Sequence, residues 1–300
     1  MRAKHEPASA GKPFIKWVGG KRQLLPEIER ALPGNFSDFD TYVEPFAGGG
    51  AVFFHLRQKY PGKRYVLNDY NADLIDAYRT VRDTPQELIG LLREIKREYT
   101  SLTSREARKA YFLRQREQYN DDSPNRVERT ALFIFLNKTC YGGLYRVNSA
   151  GRYNVTFGDC GKKSFYDEAT IMEDSRLLQG VTLTAGDYAR CGEYAAPGAF
   201  FYLDPPYRPL NLTSSFTAYT KAGFNDHAQI GLRNFCNGLT AKGARWMQSN
   251  SDGRRATPPN DFFDDLYRDC CISRVVALRN IRPGKKNNRS ADYRLSALAN

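Results

Sequence analysis

Thr41-Tyr42-Val43-Glu44-Pro45-Phe46-Ala47-Gly48-Gly49-Gly50 begins with strand character, closes on a glycine loop, and runs into the helical spacing of Ala51 to Lys59. Tyr65-Val66-Leu67-Asn68-Asp69 is a second short strand, followed by a helix that starts near Asn71 and carries Leu74, Ile75 and Tyr78. This βαβα order predicts an α/β domain built on a parallel sheet. Upstream, residues 1–13 are polar and form an arm. Lys16-Trp17-Val18-Gly19-Gly20-Lys21 then turns into a helix spaced by Leu24, Leu25, Ile28 and Leu32, ending before Pro33-Gly34. Downstream, strand signals return at Val181 to Thr184, Phe200 to Leu203, Trp246 to Gln248 and Ser273 to Leu278, with a helix from His227 to Leu239.

The α/β pattern is interrupted from about Thr80 to Asn120 by charged helical sequence, and Arg129 to Asn137 reads as a buried helix. Gly142 to Gly158 reads as a hairpin turning at Ser149-Ala150-Gly151. Residues 81–184 are therefore expected to be an insert between the two α/β parts, 14–80 and 185–300.

With 41% hydrophobic and 13% aromatic residues, the 300-residue chain can bury a core large enough to offset its conformational entropy, which excludes wholesale disorder. The longest apolar run, Ala131 to Leu136, is far short of a membrane span, and the first dozen residues lack a signal-peptide core, so a soluble cytosolic protein is expected. Lys and Arg number 45 against 33 Asp and Glu, a net charge of +12 that favours polyanionic partners, nucleic acid first. The six cysteines form no paired knuckle and the three histidines have no ligand-spaced neighbour, so neither a metal site nor a Ser-His-Asp mechanism is expected.

Chemistry is sought at the strand ends. Glycines 48 and 50 let backbone approach a ligand where a doubly wound sheet opens its crevice. Asp69, nineteen positions beyond Gly50 at the end of the next strand, stands where an acid accepts hydrogen bonds from ribose hydroxyls. A nucleoside-bearing cofactor fits both. A dinucleotide does not, because Phe53 takes the place of the small third residue of G-x-G-x-x-G/A and Glu44 would repel a pyrophosphate. Glu44 suits instead the ammonium of S-adenosylmethionine (SAM), although a glycine loop alone is more often a structural turn.

Asp204-Pro205-Pro206-Tyr207 follows the strand Phe200 to Leu203 and so also falls at a carboxyl strand end. The prolines stiffen the backbone and leave the Pro205 carbonyl free of a local ladder, while Asp204 supplies a second acceptor. Such a pair suits an exocyclic amine: its two hydrogens go to the carboxylate and the carbonyl, the lone pair is freed from ring conjugation, and Tyr207 offers a face to the base. A lone match would read more simply as a rigid strand exit. The glycine loop and ribose-type acid upstream favour the functional reading.

The sequence resembles the Dam-type DNA adenine-N6 methyltransferases, the D12 class or alpha group with a DPPY motif, over most of its length. Lys16-Trp17-x-Gly19-Gly20-Lys21 is similar to the family's amino-terminal cofactor motif, Phe46-x-Gly48-x-Gly50 to its SAM loop, and Asn68-Asp69-x-Asn71-x-Asp73-Leu74 to its ribose-binding segment. Gly186-Asp187-Tyr188 resembles the segment that holds the cofactor adenine, Asp204 to Tyr207 the catalytic motif, and Phe216-Thr217-Ala218-Tyr219 the loop that closes on the target. The resemblance implies a Rossmann-like SAM-dependent fold with a mainly parallel seven-strand sheet, an αβα catalytic domain and a target-recognition insert. It places Trp17, Lys21, Glu44, Phe46, Gly48, Gly50, Asp69, Asp187, Tyr188 and Asp204 around the cofactor. The stretch Asn137-x-x-Cys140-Tyr141-x-Gly143-Leu144-x-Arg146 and Asn154-Val155-Thr156-Phe157-Gly158 is similar to the family's GATC-reading hairpin. Leu144, Arg146, Asn154, Thr156, Phe216 and Tyr219 are its implied DNA contacts. Arg146 is the implied guanine reader, since its fork matches the O6/N7 edge, and Asn154 supports the hairpin. Thr156 stands where the family commonly has proline.

The resemblance implies double-stranded DNA as partner, adenine N6 in GATC or a related short site as target, and a restriction endonuclease or repair system acting at the same site. It implies a bacterial nucleoid or phage-infected cytoplasm as location. Adenine N6 is hidden in a duplex, so the base must be flipped out. Direct displacement at a sulfonium methyl needs no covalent enzyme intermediate, so positioning supplies most of the rate. The basic stretch from Arg268 to Arg294, with Lys285, Lys286 and Arg289, is a candidate phosphate contact, although a charge run is more often a solvated face. The rival readings are an RNA or cytosine-N4 exocyclic-amine methyltransferase, and a catalytically silent DNA-binding relative.

Overall fold

The computed structural model describes residues 11–121, 124–159, 164–208, 224–256, 258–278 and 290–297; the expectations at Phe216, Tyr219, Lys285, Lys286 and Arg289 lie outside them. In chain order the elements are α1 (Leu25–Ala31), β1 (Thr41–Glu44), α2 (Ala51–Lys59), β2 (Arg64–Asp69), α3 (Ala72–Asp83), α4 (Pro85–Ser101), α5 (Arg105–Asn120) and α6 (Arg126–Thr139). They continue with α7 (Glu168–Leu178), β3 (Thr182–Ala185), β4 (Ala199–Leu203), α8 (Asp226–Ala241), β5 (Arg245–Ser251), α9 (Phe262–Leu266), β6 (Cys271–Leu278) and β7 (Ser290–Ala297). None of these helices is long and apolar enough to cross a membrane. The chain divides into two compact units: Met1–Gly20, Gly48–Pro61 and Asp69–Gly186 form one, Lys21–Ala47, Gly62–Asn68 and Asp187–Asn300 the other.

The second unit is the α/β part. Its strands lie in the order β2-β1-β4-β5-β7-β6. β1 runs parallel to β2 and β4, and β4 parallel to β5, whereas β7 is antiparallel to both β5 and β6. All five residues of β4 are buried, as a strand covered on both faces requires. On one face Val43, Phe201, Leu203 and Trp246 pack with Leu232, Cys236 and Leu239 of α8 and with Phe263 and Tyr267. On the other, Tyr42 and Phe200 meet Phe36, whose ring stands edge-on to Phe200 at 5.2 Å, and Tyr65 packs on Tyr42.

The first unit is mainly helical and is organised around α6. Val127, Thr130, the run Ala131 to Asn137 and Thr139 are all buried, so this helix is covered on nearly every side, with α3, α4 and α5 packed on it. Its start is fixed by a capping box: Asn125 Oδ1 accepts the Val127 and Glu128 amides, and the Glu128 carboxylate accepts the Asn125 amide. Asn71 caps α3 and Ser104 caps α5 with one bond each, their side-chain oxygens accepting the Leu74 and Ala107 amides.

The chain from Cys140 to Gly158 folds back on itself, with a physical difference from the expected hairpin. Its legs touch through two isolated antiparallel bridges, Cys140 with Phe157 and Val147 with Tyr153, instead of a continuous ladder. Asn148 builds the tip: its amide donates to the Arg152 carbonyl, its side-chain oxygen accepts the Ala150 and Arg152 amides, and Gly151 adopts φ +78°. At the base, a Cβ on Gly158 would lie 2.5 Å from the Cys140 carbonyl, so only glycine allows this approach.

Candidate active site

In the second unit the strand order reverses between β1 and β4, the place where open α/β sheets bind ligands beyond their carboxyl ends. Glu44 ends β1 and Asp204 follows β4 directly. Glu44 is buried and accepts the Tyr42 hydroxyl at 2.5 Å. That hydroxyl is held well above the usual phenol range by burial, with the Glu44 charge second. Asp204 Oδ2 accepts from Lys21 Nζ at 2.7 Å, with the two side chains 21% and 5% exposed. Lys21 Nζ also stands 4.8 Å above the Tyr207 ring, which places a cation between two members of the tetrapeptide.

Burial raises the Asp204 carboxyl above its ordinary value; the Lys21 charge, its hydrogen bond and the nearby Tyr207 hydroxyl pull it back. The other oxygen, Oδ1, is fully buried and makes no hydrogen bond of normal geometry among the described residues. The Pro205 carbonyl likewise accepts none among them. A buried acceptor without a well-formed hydrogen bond costs about 1–3 kcal/mol, and an incoming donor would relieve that cost.

The tetrapeptide is braced by residues that its own sequence does not reveal. Gln229 of α8 donates to the Pro206 carbonyl at 3.1 Å, and Asn250 of β5 donates to Gln229 at 3.0 Å. Ser251 donates to the Arg208 carbonyl at 2.8 Å. Phe46 packs on Tyr188 at 5.2 Å and on Phe224 at 6.0 Å, with Phe235 on the far side of Tyr188. Asp187 holds this cluster from below: its carboxylate accepts the Ala189 amide and caps the 3-10 helix Tyr188–Tyr194.

In the first unit, Asp69 gathers the glycine loop. Oδ2 accepts the Gly48 amide and Oδ1 the Asn71 amide, both at 2.9 Å. Burial raises this carboxyl and the two amides oppose it. An ionised carboxylate has about four acceptor positions, so both oxygens keep capacity for further donors. Gly48 (φ +49°) and Gly50 (φ +70°) are left-handed, and a Cβ on Gly50 would stand 2.5 Å from the Tyr78 hydroxyl, which itself donates to the Gly48 carbonyl. Trp17 lies against Gly48 and Gly49. Its neighbour Lys16 is clamped through its backbone by the fully buried Asn137, which accepts the Lys16 amide and donates to the Lys16 carbonyl, each at 2.8 Å.

On the folded-back segment Arg146 is exposed. Its Nε donates to Asn154 Oδ1 at 2.8 Å and its Nη2 to the Asn154 carbonyl at 3.1 Å, so Asn154 orients the guanidinium. Leu144 is half-buried and Thr156 exposed; the Thr156 carbonyl accepts the Tyr141 amide. Gln229 and Asn250 are supporting residues that the sequence did not mark; Tyr78 stood out only in the helical spacing after Asn71, and Asn137 only as the first residue of the hairpin-like stretch.

Two carboxylates at the switch point of an open α/β sheet, one beside a proline-stiffened exit, mark a ligand-binding α/β protein. The profile of the D12 class N6 adenine-specific DNA methyltransferases matches residues 17–281, and the chain belongs to that family. It is similar to the type II methyltransferase M.MjaIII of Methanocaldococcus jannaschii, with 42% identity over 95% of this chain and 97% of that protein. It is 37% identical to the type II methyltransferase M1.LlaDCHI of Lactococcus lactis over 89% of this chain and 88% of the relative. With the DNA adenine methylase of Escherichia coli it shares 34% identity over 80% of each chain. The protein is an adenine-specific DNA methyltransferase, and DNA is its substrate.

Proposed function

We propose that the methyl donor is SAM and that the acceptor is N6 of an adenine flipped out of duplex DNA, within GATC or a related short site. The observation that carries this reading is the pair of acceptors at the switch point: Asp204 Oδ1, buried with no hydrogen bond of normal geometry among the described residues, and the adjacent Pro205 carbonyl. Two acceptors on neighbouring residues match the two hydrogens of an exocyclic amine, and Lys21 keeps the carboxylate in its accepting form by fixing its other oxygen.

The residues present fit SAM. Asp69 has acceptor capacity for ribose hydroxyls, Phe46 and Tyr188 offer aromatic faces for an adenine, and Glu44 is a carboxylate for the ammonium, with Trp17, Lys21, Gly48, Gly50, Asp187 and Asp204 completing the set. When bound, SAM supplies an electrophilic methyl group. The chain then has three tasks. Asp204 and the Pro205 carbonyl orient N6 and withdraw its lone pair from the ring. Tyr207 stacks on the extruded base, worth roughly 1–3 kcal/mol against an extrusion cost of a few kcal/mol. Gln229 and Asn250 hold the tetrapeptide rigid, so alignment costs little at the moment of transfer.

Residues 81–184 serve as the recognition segment and 14–80 with 185–300 as the catalytic part, with Arg146 reading guanine, Asn154 orienting it, and Leu144, Thr156, Phe216 and Tyr219 at the DNA. A nuclease or repair system acting on the same site is the expected functional partner. The test is sequencing of modified bases in plasmid from cells expressing the chain, with a SAM titration of the purified protein. N6-methyladenine in GATC or a close variant supports the reading; methylcytosine, or unmodified DNA from a chain that does not bind SAM, overturns it.

A further inference from the structure

Two carboxylates, one just before α3 and one in its first turn, have different duties. Asp69, just ahead of the helix, gathers the glycine loop. Asp73 faces the other way: its Oδ2 accepts the Tyr145 hydroxyl at 3.1 Å and the Tyr119 hydroxyl at 2.6 Å, and its Oδ1 accepts from Arg129 Nε at 3.0 Å. Tyr145 is the residue immediately before Arg146. Its ring packs against Trp17 at 5.9 Å, and Trp17 in turn lies on Gly48 and Gly49. Phe133 and Tyr153 close the remaining sides of the ring at 5.9 and 5.7 Å. The segment from Cys140 to Gly158 has few bridges of its own, so an outside anchor beside Arg146 matters more than it would on a continuous ladder.

We infer that Tyr145 is a positioning residue for sequence reading: its bond to Asp73 fixes the backbone before Arg146 to the same helix start that holds the cofactor loop. This rests on the reading of Arg146 as the guanine contact. A guanidinium exchanges two bonds to Asn154 for two to a base edge only when the distance is set to a few tenths of an ångström, and each bidentate base contact is worth about 1–3 kcal/mol of discrimination. Losing the tether lets the segment drift and weakens the discrimination that distance sets. Arg129 and Tyr119 belong to the mounting of Asp73; they stand on α6 and α5, and neither adjoins Arg146 in the chain.

Tyr145→Phe removes one hydroxyl and keeps the ring, so it isolates the tether. Tyr119→Phe is the matched control, because it deletes a neighbouring hydroxyl from the same carboxylate oxygen while leaving the Tyr145–Asp73 bond in place. The measurement is the ratio of methylation rates (kcat/KM) on the preferred duplex and on one in which the read guanine is replaced, made on the full chain alongside donor Kd and melting temperature. Tyr145→Phe is expected to lower the ratio about fivefold to tenfold with donor Kd changed less than twofold; Tyr119→Phe is expected to lower melting temperature at least as much while leaving the ratio within twofold. Equal loss of the ratio in both variants, or none in Tyr145→Phe, overturns the inference. Arg146→Ala separates the layers: if it leaves the ratio intact, the guanine reading itself fails and the tether with it. If it abolishes discrimination while Tyr145→Phe does not, the tether alone is wrong.

Discussion

Lys21 shows how a single residue can control a site whose chemistry belongs to another. It is more deeply buried than Asp204, it bonds one oxygen of that carboxylate, and it stands over the Tyr207 ring. Asp204 already has a raised pKa, for which burial is the largest cause. Transfer needs the ionised carboxylate, which accepts on every oxygen, so the acid limb of the methylation rate should lie above the ordinary carboxylate range. Lys21→Met removes the opposing charge, and the limb should move to higher pH; an unchanged or lower midpoint in single-turnover rates against pH would contradict the assignment. Stability follows with a definite sign. A carboxyl with a raised folded pKa favours the native state most below its unfolded pKa, and that contribution is lost as pH rises through the folded value. Lys21→Met should therefore cost more stability at pH 8 than at pH 5. Sequence alone pointed to Asp204 and Lys21 separately, through strand-exit chemistry and family resemblance; their pairing joins residues far apart in the chain and is visible only once both are folded.

Among the elements, the folded-back segment after α6 is the most exposed to small changes. Gly158 is fixed by backbone: an added Cβ would meet the Cys140 carbonyl carbon and oxygen at 2.5 Å and the Tyr141 amide at 2.6 Å. Its amide bonds to the Thr139 carbonyl, and Arg108 grips the following Asp159 with two hydrogen bonds at 3.0 and 3.1 Å. Gly158→Ala must push the two legs apart, at a cost of about 1–3 kcal/mol. The expected outcome is a lower melting temperature and at least tenfold weaker duplex binding with SAM affinity retained; unchanged duplex affinity would detach this segment from DNA recognition. The βα elements were legible because strand, glycine loop and helix follow one another locally. α7 was not read: Thr170, Asp174 and Ser175 lie on its buried side, so polar residues interrupt the apolar stripe that marks a helix. Asp174 is completely buried, and desolvation lifts its carboxyl to about 8. β7 was hidden for a different reason. It enters antiparallel between β5 and β6, a pairing fixed by distant strands and not by the sequence from Ser290 to Ala297.

For the molecule as a whole, a net charge of +12 supplies affinity for any duplex and no selectivity. Selectivity and chemistry therefore rest on few side chains, and the account stands on one of them. Transfer of labelled methyl groups from SAM to duplex DNA, compared between the native chain and Asp204→Ala with duplex binding measured in parallel, is the most direct test. Native protein should label the duplex, and the variant should bind DNA within a few-fold of native while transferring about 10²–10³-fold more slowly, the loss typical of removing a group that stabilises the transition state. Near-normal transfer by Asp204→Ala would contradict the account.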